Sequence, residues 1–119
     1  MLVFGSDWPG TNASWYPSEP LLGIYAAVTR QTMDGQPEGG WFPEERLTVQ
    51  EALEAYTRNA AYAGFVESWK GRLMPGYTAD LVVLSENLFE IPAEQIKDVE
   101  VLRTMVGGRW VYGGERLTP

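Results

Sequence analysis

The apolar residues of this chain change their spacing once, near Glu67, and that change limits the fold more than any other feature. Before it they recur at helical intervals. After it they come in short β-branched runs interrupted by Gly and Pro. A sequence patterned this way predicts an α+β fold, with helices and strands segregated along the chain.

Two helices are expected. The first starts at Ser18, with Glu19 and Pro20 in its opening turn. Leu21, Tyr25, Val28 and Thr32 follow at helical spacing, so it runs to about Thr32. The second opens on Thr48-Val49-Gln50-Glu51, a capping box in which Glu51 reaches back to the Thr48 backbone. Val49, Ala52, Leu53, Tyr56 and Ala60 then make one apolar stripe, and Gly64 closes it. Residues 8–17 and 34–43 are loops rich in Pro, Gly and Asn.

Strands flank these helices. Met1-Leu2-Val3-Phe4-Gly5-Ser6-Asp7 is a short continuous apolar run, the pattern of a strand buried on both faces in a parallel sheet. It is an unusual opening for a polypeptide and reads as the last strand of something larger. Residues 80–84 predict a buried strand, and 92–97 a single helical turn. Residues 99–106 and 109–112 predict a hairpin across Gly107-Gly108, a dipeptide suited to a primed two-residue turn. The first strand, lacking a partner, is expected to drive self-association through its apolar edge.

Composition removes several function classes. The chain has 119 residues, 45% of them hydrophobic, which is enough for one core. Its net charge is −7. An acidic chain without a basic stripe predicts no nucleic-acid partner and no anionic membrane surface. No run is long enough for a membrane span, and no basic-then-apolar leader opens the chain. Cys and His are both absent. That eliminates disulfides, thiolate nucleophiles, Ser-His-Asp catalysis and the usual zinc ligands. The lack of Cys fits a reducing compartment, and a cytoplasmic location is expected.

Asp7 is the best single candidate for chemistry. It ends an apolar strand and precedes Trp8-Pro9 and a long loop. A carboxylate at the carboxyl end of a barrel strand suits a metal ligand or a general base. The structural alternative is a turn or capping Asp. Trp8, Trp15, Tyr16, Trp41 and Phe42 lie in the two loops nearest it. They either wall a substrate pocket or anchor those loops. Arg30, Asn59 and Asp80 are expected to be structural: a helix C-terminal cation, a hydrogen-bonder and a backbone or ion-pair partner. Glu44-Glu45 and Glu51/Glu54 read as solvated faces, and Asn12-Ala13-Ser14 as a chance sequon.

Phe4-Gly5-Ser6-Asp7-Trp8-Pro9 resembles the end of the eighth barrel strand in the YtcJ-like branch of the amidohydrolase superfamily. Glu19-Pro20-Leu21-Leu22-Gly23-Ile24-Tyr25 resembles the helix that follows. Leu47-Thr48-Val49-Gln50-Glu51-Ala52-Leu53 and Tyr56-Thr57-Arg58-Asn59-Ala60 resemble the next helix. Pro75-Gly76, Ala79-Asp80-Leu81-Val82-Val83-Leu84 and Val106-Gly107-Gly108-Arg109-Trp110 resemble strands of that family's small β-domain. The likeness runs through the whole chain in order.

The resemblance implies an α+β fragment. Residues 1–66 would be the last strand and helices of a (β/α)8 barrel, and 67–119 part of a small β-sandwich domain. It implies a metal-dependent hydrolase of C–N bonds with a small-molecule amide substrate and a divalent metal, zinc in the full-length enzyme. Asp7 matches the residue that binds the metal and takes a proton from water. The family's His ligands have no counterpart here, so the chain alone is expected to hold no metal and to be inactive. The alternative is a stand-alone, non-catalytic α+β module that binds a ligand or partner through its aromatic loops.

Overall fold

A computed structural model describes residues 1–7 and 18–114. Helix α1 spans Pro20–Thr29, with Pro20 at its first position and Glu19, rather than Ser18, as N-cap. The ring presets the helical φ and removes an N–H that would have no partner there. α1 ends before the expected Thr32, because Arg30 turns left-handed at φ 60 and donates its N–H to the Ala26 carbonyl.

The second helical segment forms with the predicted capping box. The Thr48 N–H donates to Glu51 Oε2 at 2.8 Å, and the Glu51 N–H donates to Thr48 Oγ1 at 3.2 Å. It is not one helix, however. α2 covers Val49–Tyr56 and α3 covers Arg58–Ala63, with Thr57 between them at φ −116, ψ −93. The Thr57 hydroxyl donates to the Leu53 carbonyl at 2.7 Å, a back-bond that favours a bend. Short 3₁₀ turns lie at Pro43–Glu45 and Ala93–Asp98, the second where a helical turn was expected.

Three strands form one antiparallel sheet in the order β1 (Leu81–Leu84), β2 (Val101–Val106), β3 (Arg109–Tyr112). Leu81 faces Met105 and Val106 faces Arg109, with bulges after Val83 and Thr104. The β2–β3 turn uses Gly107 at φ 57 and Gly108 at φ 78, the two positive angles that a primed turn demands. The expectation of a buried β1 is corrected: Val82 and Val83 are exposed.

The opening run is also corrected. Residues 1–7 are in no strand. A parallel strand exists only against a neighbour in its sheet, and no described strand lies beside this run. It packs on the helices instead. The Phe4 N–H donates to the Ala55 carbonyl at 3.1 Å, and the Phe4 ring meets Tyr56 edge-on at 5.4 Å.

The core joins both sides of the residue 66/67 junction. Ile24, Tyr25 and Ala52 pack with Leu88, Ile96 and Val99. Lys97 clamps this assembly: its Nζ donates to the Met33 carbonyl at 2.8 Å and lies over the Tyr25 ring.

Asp80 hooks the hairpin to the rest of the sheet. Its Oδ1 accepts the Gly107 N–H at 2.7 Å, and its Oδ2 pairs with Lys70 at 3.0 Å. The Gly107 N–H first, and Lys70 second, hold this carboxyl below the usual carboxylate range. A depressed folded pKa stabilises the fold above the unfolded pKa, and that stability is lost as pH falls through the folded value. An Asp80→Asn variant should therefore be less stable than wild type at neutral pH, and the gap should close in acid. Urea unfolding at both pH values measures this; an equal gap at both would remove Asp80's charge from the account.

Candidate active site

Asp7 sits on the segment that α2 and α3 support. The Asn59 Nδ2 donates to the Leu2 carbonyl at 2.9 Å, so Asn59 has the hydrogen-bonding role its position suggests. With the Phe4 contacts, this bond fixes the backbone that leads to Asp7. Asp7 itself is exposed and left-handed, at φ 50. That conformation is uncommon outside glycine, and Asp is one of the residues that tolerate it.

Trp8, Trp15 and Tyr16 lie outside the described residues, as does the Asn12-Ala13-Ser14 triplet. Trp41 and Phe42 are described and lie together beside the end of α1. Their rings meet edge-on at 4.7 Å, and they are 62% and 53% exposed. Neither ring is buried in the core of this chain. Arg30 holds them. Its guanidinium lies 5.2 Å from the Trp41 ring centre, its Nε donates to the Trp41 carbonyl at 3.0 Å, and its own carbonyl accepts the Trp41 N–H at 2.8 Å. Arg30 is thus more than a cation complementing a helix dipole.

Spacing does not single out Arg46, yet it completes this clamp. Its Nε donates to the Thr29 carbonyl at 3.3 Å and its Nη2 to the Gly39 carbonyl at 2.6 Å. It thereby satisfies one of the carbonyls left over at the end of α1. The only sequence signal for it is a cation between an apolar loop and a helix cap. Phe42 is left-handed at φ 49, a conformation that costs a bulky residue about 1–3 kcal/mol. The two arginine clamps and the Pro43–Glu45 turn hold it there. A groove of about 410 Å³ opens beside this platform, bordered by Ala26, Arg30, Thr32, Gln36, Pro37 and Trp41.

The structure thus gathers Arg30, Trp41 and Phe42 at one place and mounts Asp7 on a separate support. The acidic pairs stay structural: Glu51 caps α2, and Glu54 pairs with Arg58 at 2.8 Å. Among the described residues no three His, Cys, Asp or Glu side chains gather to hold a metal ion. The sequence has no His or Cys to add. A single carboxylate supplies too few donors for a zinc centre, so the chain's own residues do not fit one. Among the described residues no helix is long and apolar enough to cross a membrane.

The amidohydrolase family model matches residues 1–112. YtcJ of Bacillus subtilis, named as an amidohydrolase, is 36% identical over 103 residues, covering 87% of this chain and 20% of that protein. The protein LONG AFTER FAR-RED 3 of Arabidopsis thaliana is 40% identical over 114 residues, covering 94% of this chain and 18% of its own length. The N-substituted formamide deformylase of Arthrobacter pascens is 36% identical over 85 residues, 71% of this chain and 15% of the enzyme. The chain therefore spans at most about a fifth of the length of these relatives. No solved structure matches it. With nearly its whole length matched in one continuous stretch, the chain belongs to the amidohydrolase family and is YtcJ-like.

Proposed function

We propose that this chain supplies the C-terminal part of a metal-dependent hydrolase that cleaves C–N bonds in small amides or N-acyl compounds, and that it is inactive by itself. The observation that carries the reading is the family match across residues 1–112, through the helical and the β part alike. The substrate class follows the relative named for deformylating N-substituted formamides. In this reading residues 1–66 close a (β/α)8 barrel, with 1–7 as its last strand, and 67–119 are strands of a small β-sandwich domain. The segment 1–7 becomes a strand only when a neighbouring strand is supplied.

Asp7 is the carboxylate this chain brings to the site, as metal ligand and proton acceptor. Trp8, Trp15, Tyr16, Trp41 and Phe42 wall the substrate pocket. Histidines from another polypeptide segment complete the metal site, with zinc as the metal, and the assembled protein is cytoplasmic. Leu2 and Val3 are 52% and 47% exposed; without that other segment, this surface draws copies of the chain together.

Co-expression with the upstream four-fifths of YtcJ tests the whole reading. The expected complex is one copy of each, binds zinc by metal analysis and hydrolyses N-substituted formamides. The chain alone is expected to self-associate by light scattering and to bind no zinc. A chain that stays monomeric, ignores the upstream segment and gains no metal would point to the stand-alone binding module instead.

A further inference from the structure

One groove of this acidic molecule is basic. It holds about 250 Å³ and is lined by Met1, Arg58, Asn59, Tyr62, Glu67, Lys70 and Arg72. Three cations and one carboxylate, Glu67, line it, in a chain whose net charge is −7, while Glu54 and Asp80 pair with two of these cations. These side chains lie apart from the Arg30–Trp41 platform, and the groove borders the opening segment at Met1.

The convergence is built by Gly71. At φ 86 it presses against the start of α3. A Cβ on it would lie 2.7 Å from Ala61 Cβ, 3.0 Å from Arg58 Cα and 3.1 Å from the Thr57 carbonyl. Only glycine permits that approach. It sets the neighbours on either side, Lys70 and Arg72, next to Arg58. Lys70 is held in place by Asp80, at 3.0 Å, and by the Trp69 ring beneath its ammonium.

The other two cations have charge to give. Arg58 pairs with Glu54 one helical turn away, but its side chain is 47% exposed. An exposed pair of this kind holds weakly and yields to a stronger partner. Arg72 enters neither ion pair found among the described residues. Guanidinium forks match the oxygen geometry of phosphate and grip it with paired hydrogen bonds. At about 250 Å³ the groove is of a size to take a single small anion.

We propose that Arg58, Lys70 and Arg72 form a binding site for the phosphate group of a small molecule. Free phosphate and a phosphate monoester share the recognised chemistry. The test is calorimetric titration of the full chain at low ionic strength, with inorganic phosphate in one arm and phenyl phosphate in the other. Sodium chloride of matched ionic strength serves as the blank.

Saturable binding of one phosphate per chain is expected. Arg72→Gln should weaken it about tenfold through the loss of a charge-assisted pair, and Arg109→Gln, on β3, should leave it unchanged. Binding in the inorganic arm alone assigns free phosphate; binding in both assigns a monoester headgroup. Heats no larger than the chloride blank in both arms would overturn the proposal. So would equal affinity in the Arg72→Gln protein, and circular dichroism of that variant separates lost binding from lost fold.

Discussion

Tyr25→Ala should remove much of this chain's stability and lower its urea midpoint well below that of Tyr25→Phe. Tyr25 is 1% exposed and one of the two largest fully buried side chains among the described residues. It joins α1 to Ala52 of α2 and to Leu88, Ile96 and Val99 beyond the helices. Truncating a buried aromatic to alanine costs about 3–5 kcal/mol, in lost transfer energy and the cavity left behind. A small domain has about 5–15 kcal/mol in total, so that loss removes much of its margin. The hydroxyl accounts for a smaller share. It donates to the Thr32 carbonyl at 3.0 Å, and Tyr25→Phe should cost about 1 kcal/mol for that bond. Urea denaturation followed by circular dichroism ranks the variants. A Tyr25→Ala midpoint equal to that of Tyr25→Phe would show that the ring does not support this core.

The second large effect is expected on activity. In the complex with the upstream segment, Asp7→Asn should lower kcat by about 10²–10⁴-fold, the usual contribution of a positioned acid or base. The substitution isolates the charge, because Asn adopts the left-handed backbone of Asp7 as readily as Asp does. Asp7 is exposed, so the unfolding midpoint should not move. A turn-forming Asp7 would give the opposite pair of results, a shifted midpoint with kcat retained. Trp41→Ala in the same complex should chiefly raise KM, as expected of a wall that binds substrate and transition state alike.

Local features of this molecule are legible in its sequence because they close within a few residues. The Thr48–Glu51 capping box, Pro20 at the start of α1, the Gly107-Gly108 turn and the 3₁₀ turn before Val99 each depend on short-range sterics and hydrogen bonds. The roles of Asp80 and Asn59 were legible in kind, since a carboxylate at a strand entry and an amide on a helix both seek backbone partners. The family likeness was legible as well, because it rests on ordered motifs.

The tertiary structure decided everything that depends on a distant partner. The Asn59–Leu2 bond spans 57 residues and the Lys97–Met33 bond spans 64, so no local pattern could announce either. The same holds for the two-arginine clamp that displays Trp41 and Phe42, and for the packing of Gly71 on α3 that gathers three cations. An apolar run such as residues 1–7 states that it must be covered, but not by what. A continuous, β-branched apolar run likewise marks Leu81–Leu84 as a strand without saying whether either face has a neighbour. Sequence pattern sets the period and ends of elements through local energetics. Burial is a property of the whole packed assembly, and here it placed the opening run on helices and left Val82 and Val83 in water.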